Sequence, residues 1–270
     1  LIRDGHRGAG LFLDPGLGKT AITLSLIRML QTAGLVRRVL VIAPLRVCYC
    51  VWPDEITKWS QFAGLSCGLA HGGLTKSMAA LSDAPEIVLI NPDGIEWFEL
   101  YMRHSKLDFD LLVVDESPAF KTHKSDRWKA LRQLLPRFSY RLILTGSPIP
   151  NGYEDLWTQI FIVDGGNALG ERITHYRDRY FYRDRFNRHV LIEGKEHLID
   201  AAIAPLVLRM SADDHLDLPP LVYNDIRIEL PDQARKRYQK LERDLFVPLD
   251  SGETLTATNA GSKYNLCRQL

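Results

Sequence analysis

The segment LDPGLGKT (13–20) decides the predicted fold, because it stands between a short apolar run and a stretch of helical apolar spacing that ends at Gly34. In this context of strand, loop and helix, backbone N–H groups and the positive end of a helix can bind phosphates. Leu13 occupies the first glycine position of the full GxxxxGKT pattern, so the loop fits the shorter GxGKT form. The residues predicted to bind the nucleotide are Gly16, Leu17, Gly18, Lys19, Thr20 and Ala21.

Lys19 and Thr20 have specific predicted roles within this loop. A lysine at this position neutralises charge on the β- and γ-phosphates, and the hydroxyl that follows it coordinates magnesium. A glycine-containing turn with a surface lysine is the alternative interpretation, but the flanking strand and helix favour a phosphate site. The predicted cofactors are therefore ATP and Mg²⁺.

Short apolar runs rich in Val, Ile and Leu recur along the chain and alternate with segments of helical spacing up to about residue 165. This alternation predicts an α/β fold in which helices cover both faces of a mainly parallel sheet. Ligands of such sheets bind at the carboxyl ends of the strands. The runs are LFL (11–13), RVLVIAP (38–44), EIVLINP (86–92), DLLVVDES (110–117) and RLILTGSP (141–148).

Two adjacent carboxylates, Asp115 and Glu116, end the fourth of these runs. Carboxylates are costly to bury unless they serve a cation or a reaction. In an ATPase with a phosphate loop, the first acid holds magnesium and the second orients or deprotonates the attacking water. We therefore predict catalytic roles for Lys19, Asp115 and Glu116, with Thr20 and Asp115 as metal ligands. A solvated strand end is the weaker alternative.

The fifth run ends in LTGSPIPN (144–151), where Thr145, Gly146 and Ser147 are small enough to lie beside the acidic pair without filling the site. By itself this segment is a turn signal. Taken together, GLGKT (16–20), the Asp-Glu strand end and LTGSPIPN resemble motifs I, II and III of superfamily 2 helicases. The wording is most similar to the Swi/Snf family, in which motif III typically reads LTGTPIQN and the phosphate loop DEMGLGKT.

The resemblance covers most of residues 8–245 and implies a three-layer αβα, RecA-like P-loop lobe. It implies that Thr145, Gly146 and Ser147 couple ATP to motion, and that double-stranded DNA is the partner. It further implies a second RecA-like lobe after about residue 270, without which this chain would hydrolyse ATP slowly or not at all. The nucleic-acid contacts would lie at the strand-end residues Pro44, Leu45, Arg46, Asn91 and Pro92.

Two departures from the family pattern affect this interpretation. The second motif reads DESP (115–118) where the family reads DEAH, so Ser117 and Pro118 replace residues that help link ATP to motion. The chain also opens only a few residues before the first motif, so we expect the adenine-reading segment of the family to be missing or truncated, with weak or base-indifferent nucleotide binding.

The alternation of apolar strands and helices ends at Gly165 and Gly166, and a segment rich in arginine and aromatic residues follows. We predict a helicase ATP-binding lobe over residues 1–165, a helical protrusion packed on it over 166–250, and a loop and linker over 251–270. The segment 171–188 contains six arginines and five aromatic residues. It fits either a nucleic-acid contact or, as the slightly favoured alternative, an amphipathic helix whose arginines pair with Asp178 and Asp184.

Composition allows these assignments without deciding between them. The formal net charge is +1, so any nucleic-acid binding must come from local basic patches. The four cysteines form no CxxC pair, and no apolar run reaches the length of a membrane span. We expect an intracellular, cytoplasmic protein, located at the nucleoid or nucleus if the host has one.

Three function classes remain open at this level. The leading hypothesis is the ATP-binding lobe of a nucleic-acid-stimulated ATPase that translocates on double-stranded DNA. An RNA or single-strand unwinding helicase would use the same motifs, and a non-catalytic, nucleotide-gated binding module is the third class. A small-molecule kinase fits less well, because the coupling motif has no role in such an enzyme.

Overall fold

The computed structural model describes residues 7–214 without a gap, and beyond them residues 224, 229, 231, 232, 234–236, 238, 239, 246–248 and 254–256. The chain divides into two compact units, Leu1–Asp217 and Leu218–Leu270. In the second unit, Phe246–Pro248 pairs antiparallel with Thr254–Thr256. These last three residues therefore form a strand within the region for which a loop and linker was predicted.

Seven parallel strands form the central sheet of the first unit. They are β1 (Gly8–Leu13), β2 (Val39–Ile42), β3 (Cys67–Leu69), β4 (Ile87–Ile90), β5 (Leu111–Asp115), β6 (Tyr140–Thr145) and β9 (Val207–Met210), in the spatial order β3-β4-β2-β5-β6-β1-β9. Every residue of β1, β2, β4 and β5 is buried. Such strands read as continuous apolar runs because a parallel sheet is covered on both faces.

Helices cover both faces of this sheet, which confirms the predicted three-layer αβα fold. They are α1 (Lys19–Thr32), α2 (Trp52–Lys58), α3 (Leu74–Ser82), α4 (Ile95–His104), α5 (Asp126–Leu134), α6 (Leu156–Asp164), α7 (Ile173–Tyr180) and α8 (Glu196–Ile203). One buried cluster joins α1 and α2 to the sheet, and a second joins the other six helices to the opposite face.

The sheet extends beyond the predicted lobe boundary at residue 165. Strand β9 pairs in parallel with β1, so residues up to Met210 belong to the same layered structure. The boundary between the two units accordingly lies after Asp217. The region after residue 165 is also not wholly helical, because β7 (Phe181–Arg183) and β8 (His189–Leu191) form an antiparallel hairpin between α7 and α8.

Helix α6 packs closely on the first residue of β1. A side-chain carbon added at Gly8 would lie 2.1 Å from the backbone oxygen of Val163. Backbone cannot move aside as the end of a side chain can, so only glycine fits at this position.

We predict that Gly8→Ala lowers the free energy of unfolding by about 1–3 kcal/mol, because it overpacks the contact between β1 and α6. Urea unfolding measures this loss. Gly94→Ala is the matched control, since its added carbon meets only a side-chain oxygen, at 3.3 Å. Equal effects of the two substitutions would show that the close approach at Gly8 does not limit packing.

Candidate ATP site at the carboxyl edge of the sheet

The phosphate loop connects β1 to α1 through two glycines with left-handed backbone. Gly16 has a φ of 89° and Gly18 a φ of 73°, values that side-chain-bearing residues rarely adopt. Among the described residues, no side chain caps the amino end of α1, and its first turn contains no acidic residue. The N–H groups of that turn are therefore available to an anion.

Lys19 lies over the loop that precedes it. Its ammonium donates hydrogen bonds to the carbonyl oxygens of Leu13, at 2.8 Å, and Asp14, at 3.4 Å. Lys19, Thr20 and Ala21 are all half-buried at the start of α1. The side chain is thus held at the mouth of the loop, where it can neutralise phosphate charge.

Asp115 is the last residue of β5, and its carboxylate is buried. Burial raises its pKa above the ordinary value, and the nearby charge of Glu116 adds to this effect. Trp52 Nε1 donates a hydrogen bond to Asp115 Oδ2, 3.1 Å long, which lowers the pKa of the carboxylate. The positive charge of Lys19 lowers this pKa as well. The structure therefore brings Lys19 and Asp115 into electrostatic contact, although 96 residues separate them in the sequence.

Glu116 has a left-handed backbone, with a φ of 54°. This conformation costs a non-glycine residue about 1–3 kcal/mol. It turns the chain from β5 into the short helical turn Ser117–Phe120 and leaves the Glu116 side chain exposed between two buried neighbours. The strained turn thus presents one carboxylate to the open edge while the other stays buried.

The predicted coupling residues lie against the predicted phosphate loop. In the strand register, Thr145 of β6 stands opposite Phe12 of β1. A side chain at Gly146 would lie 3.1 Å from Pro15 Cδ and 3.3 Å from the Leu13 oxygen. The buried hydroxyl of Thr145 accepts a hydrogen bond from the backbone N–H of Ser147, 3.0 Å long. The structure therefore brings together the predicted nucleotide-binding and coupling residues.

A buried hydrogen-bond network connects the acidic turn to the same coupling segment. Ser117 Oγ donates to Gln159 Oε1 on α6 at 2.7 Å. The amide nitrogen of Gln159 donates to the carbonyl oxygens of Pro148, at 2.6 Å, and Asp155, at 2.8 Å. Ser117 and Gln159 are fully buried. The serine that departs from the DEAH pattern therefore has a defined partner in this chain.

The predicted nucleic-acid residues lie at the carboxyl ends of β2 and β4, and their exposure differs. Arg46 is exposed, and Pro44 and Leu45 are half-buried. Asn91 and Pro92 are buried, with Asn91 donating to Asp93 Oδ2 at 3.3 Å.

Cys48 connects the ends of β2 and β4 through hydrogen bonds. Its thiol donates to the carbonyl oxygens of Ala43, at 3.2 Å, and Ile90, at 3.5 Å. Burial raises the pKa of Cys48 to about 12, so the thiol stays protonated and can donate.

The residues at this edge fit a magnesium–nucleotide complex. Among the described residues, no group of three or more His, Cys, Asp or Glu side chains could hold a metal by itself. Mg²⁺ in nucleotide sites uses one or two protein oxygens together with phosphates and water. The hydroxyl of Thr20 and the carboxylate of Asp115 are oxygen donors of this kind.

Two residues of the site carry roles that the sequence did not reveal. Trp52 is a buried aromatic residue of the core, but its indole N–H also donates a hydrogen bond to Asp115. Gln159 was not singled out, although it is a polar residue within the apolar run LWTQIFIV (156–163). A buried amide in an otherwise apolar helix is the signal that could have identified it.

Comparison with known proteins gives matches over most of the chain. Residues 3–268 match the SNF2-related domain. Protein p41 of Acyrthosiphon pisum secondary endosymbiont phage 1 is 33% identical over 262 residues, which cover 92% of this chain and 56% of p41. The human DNA excision repair protein ERCC-6-like is 29% identical over 177 residues, covering 63% of this chain and 14% of that protein. The chain thus spans only part of these relatives.

A solved structure shares the fold. The Sulfolobus solfataricus SWI2/SNF2 ATPase core in complex with dsDNA superposes with a TM-score of 0.66 at 24% identity. The match covers 89% of this chain and 49% of that one. None of the helices in the described part of the chain has the length and apolar character needed to cross a bilayer.

We predict that Trp52→Phe shifts the acid limb of Mg²⁺-dependent nucleotide binding to higher pH. The substitution removes a hydrogen bond that favours the ionised carboxylate, so the pKa of Asp115 rises further and protons compete with Mg²⁺ at higher pH. The midpoint of nucleotide binding should therefore lie at higher pH than in the wild type. Titration with a fluorescent ATP analogue across pH measures it.

Trp128→Phe is the control for this experiment, because Trp128 is equally buried but packs against Trp157 and Phe161 on the opposite face of the sheet. A pH profile of Trp52→Phe that matches the control would contradict the role given to the indole.

We predict that Ser117→Ala lowers the free energy of unfolding by about 1–3 kcal/mol, because it leaves the buried oxygen of Gln159 without its donor. Ser82→Ala is the control, since its hydroxyl lies on the surface and bonds only to Ala79. Urea unfolding compares the two variants, and equal losses would mean that the network adds no stability.

Proposed function

The chain belongs to the SNF2-related domain family, and on that premise we propose that it is the ATP-binding lobe of a motor that translocates on double-stranded DNA. The observation that carries the proposal is the meeting of three distant segments at one edge of the sheet. The phosphate loop, the Asp115–Glu116 pair and Thr145–Ser147 lie at the ends of β1, β5 and β6, which are parallel neighbours in the sheet.

We propose that each of these residues has a distinct role in ATP hydrolysis. Lys19 and the N–H groups at the start of α1 bind the phosphates. Thr20 and Asp115 hold Mg²⁺, which when bound neutralises charge on the β- and γ-phosphates. Glu116, exposed at the edge, orients the attacking water and accepts its proton. The strained backbone of Glu116 supports this assignment, because such strain is commonly stored at functional sites.

Two contacts between the ATP site and the LTGSPIPN segment would couple ATP hydrolysis to motion in this chain. Gly146 lies against Pro15 in the phosphate loop, and the network of Ser117 and Gln159 joins the acidic turn to Pro148. Both contacts reach the LTGSPIPN segment. We propose that the Ser117–Gln159 pair performs the linking role for which the family uses the DEAH residues.

The proposed DNA partner rests on family membership and on the layout of the edge. The carboxyl ends of β2 and β4 carry the predicted nucleic-acid residues, and β5 separates them from the nucleotide side at β6 and β1. In this proposal, the carboxyl edge of the sheet therefore has neighbouring binding sites for DNA and for ATP. The archaeal core that shares this fold was solved with double-stranded DNA, and we extend that partner class to this chain as part of the proposal.

The test is ATP hydrolysis by the complete gene product with and without double-stranded DNA. We predict that the DNA stimulates hydrolysis, and that Glu116→Gln lowers kcat by about 10²–10⁴-fold while ATP affinity is retained. Glu171→Gln, which alters an exposed carboxylate before α7, serves as the control.

Three outcomes would contradict the proposal. An absence of DNA stimulation, or stimulation by RNA alone, would reject the double-stranded DNA translocase. Full function of the Glu116→Gln variant would instead favour a nucleotide-gated binding module. We also propose that this chain alone hydrolyses ATP slowly, because groups that stabilise transition-state charge would come from a second lobe.

A further inference from the structure

An exposed arginine-rich hairpin, formed by Phe181–Leu191, lies outside the three motifs. The sequence favoured a single amphipathic helix across this region. Instead, α7 ends at Tyr180, and the chain continues as β7, a turn over residues 184–187, and β8. The turn gathers the basic residues at one projecting tip, whereas a helix would have spread them around its surface.

The structure separates the aromatic residues of this region into two groups. Tyr176, Tyr180 and Phe181 are buried in the main hydrophobic cluster. Tyr182 and Phe186 are 52% and 62% exposed. Packing therefore explains the first group and leaves two large aromatic side chains at the surface of the hairpin. An exposed aromatic ring can hold a neighbouring guanidinium group at the surface through a cation–π contact.

The tip is held in shape by its own side chains. The Asp184 carboxylate accepts hydrogen bonds from the backbone N–H groups of Phe186 and Arg188, each 2.9 Å long, and from Arg188 Nε at 2.9 Å. Asn187 has a left-handed backbone and accepts from Arg183 at 2.7 Å. A tip of this kind loses little conformational entropy when it binds.

Three arginines and one aspartate give the hairpin a local positive charge. Asp184 pairs with Arg188. Within the described part of the chain, no carboxylate lies within salt-bridge distance of Arg183 or Arg185. The guanidinium carbon of Arg185 lies 4.8 Å from the centre of the Phe186 ring, and that of Arg188 lies 5.1 Å from it. The aromatic ring thus holds arginines at the surface without neutralising them.

Helix α7, which leads directly into the hairpin, is anchored to the segment that follows the predicted coupling residues. Tyr176 Oη donates to the backbone oxygen of Tyr153 at 2.8 Å, and Arg177 forms an ion pair with Glu154. Both acceptors lie just before α6, at the carboxyl edge of the sheet, only a few residues after Pro148. His189 Nδ1 of β8 also lies 3.9 Å from Glu154 Oε2, so the hairpin lies beside the edge that carries the candidate ATP site.

We propose that the Phe181–Leu191 hairpin binds the phosphate backbone of double-stranded DNA. This inference rests on the proposed function and adds a contact outside the helicase motifs. Arginine is the side chain best suited to the task, because its planar fork matches phosphate oxygens. The overall charge of +1 provides no general attraction, so binding must use a local patch such as this one.

The experiment measures binding of labelled double-stranded DNA to the complete gene product by fluorescence anisotropy at several salt concentrations. We predict that the double variant Arg183→Ala and Arg185→Ala raises Kd by about tenfold and reduces the slope of log K against log salt by about one to two. The double variant Arg183→Lys and Arg185→Lys should lose less affinity than the alanine variant, since it retains both charges but lacks the planar fork.

Arg37 and Arg137 provide the matched control. Both are exposed, and they precede β2 and β6, at the opposite edge of the sheet from the hairpin. Replacing both with alanine removes the same charge and should leave Kd within about twofold, because phosphate contacts act only at short range. Unchanged thermal unfolding and ATP affinity of the hairpin variant would show that its loss of binding is local.

The outcomes separate this inference from the function on which it rests. If the wild type binds double-stranded DNA and is stimulated by it, but the hairpin variant behaves as the control does, the hairpin proposal alone is overturned. If the wild type neither binds double-stranded DNA nor is stimulated by it, both proposals are rejected. A loss that appears only with single-stranded RNA would overturn the assignment of the hairpin to duplex DNA.

Discussion

The buried carboxylate of Asp115 is the constraint on which the arrangement of the site depends. Removing a carboxylate from water is costly, and burial raises its pKa. The indole of Trp52 and the charge of Lys19 offset that cost, and they come from segments that follow β2 and β1. A single acid on the intervening β5 therefore interacts with segments that follow β2 and β1, the strands whose ends carry predicted nucleic-acid and nucleotide residues.

The contacts around this acid extend outward to the elements that would move. The strained turn at Glu116 passes to the buried Ser117, which is bonded to Gln159 on α6. The turn just before α6 also accepts a hydrogen bond from Tyr176 of α7, the helix that leads into the arginine-rich hairpin. These contacts join packed elements. We therefore expect a conformational change at the acidic turn to shift the position of the hairpin that is proposed to bind DNA.

Sequence predicted the central strands because buried parallel strands form continuous apolar runs. It also predicted that the candidate ATP-site residues meet at one edge of the sheet, because these residues follow the ends of the strands. It missed β3 and β9, which have three and four residues and are partly exposed at the sheet edges. The bond from Trp52 to Asp115 spans 63 residues, so local pattern could not reveal it. The hairpin was missed because its turn depends on one side chain, Asp184, bonding to nearby N–H groups.

A crystal structure of this chain with Mn²⁺ and a non-hydrolysable ATP analogue tests the central claim most directly. The account predicts phosphates on the N–H groups of residues 16–20 and an anomalous manganese peak beside the Thr20 hydroxyl, with Asp115 bound to the metal directly or through water. Nucleotide bound elsewhere, or a manganese peak away from Thr20 and Asp115, would contradict it.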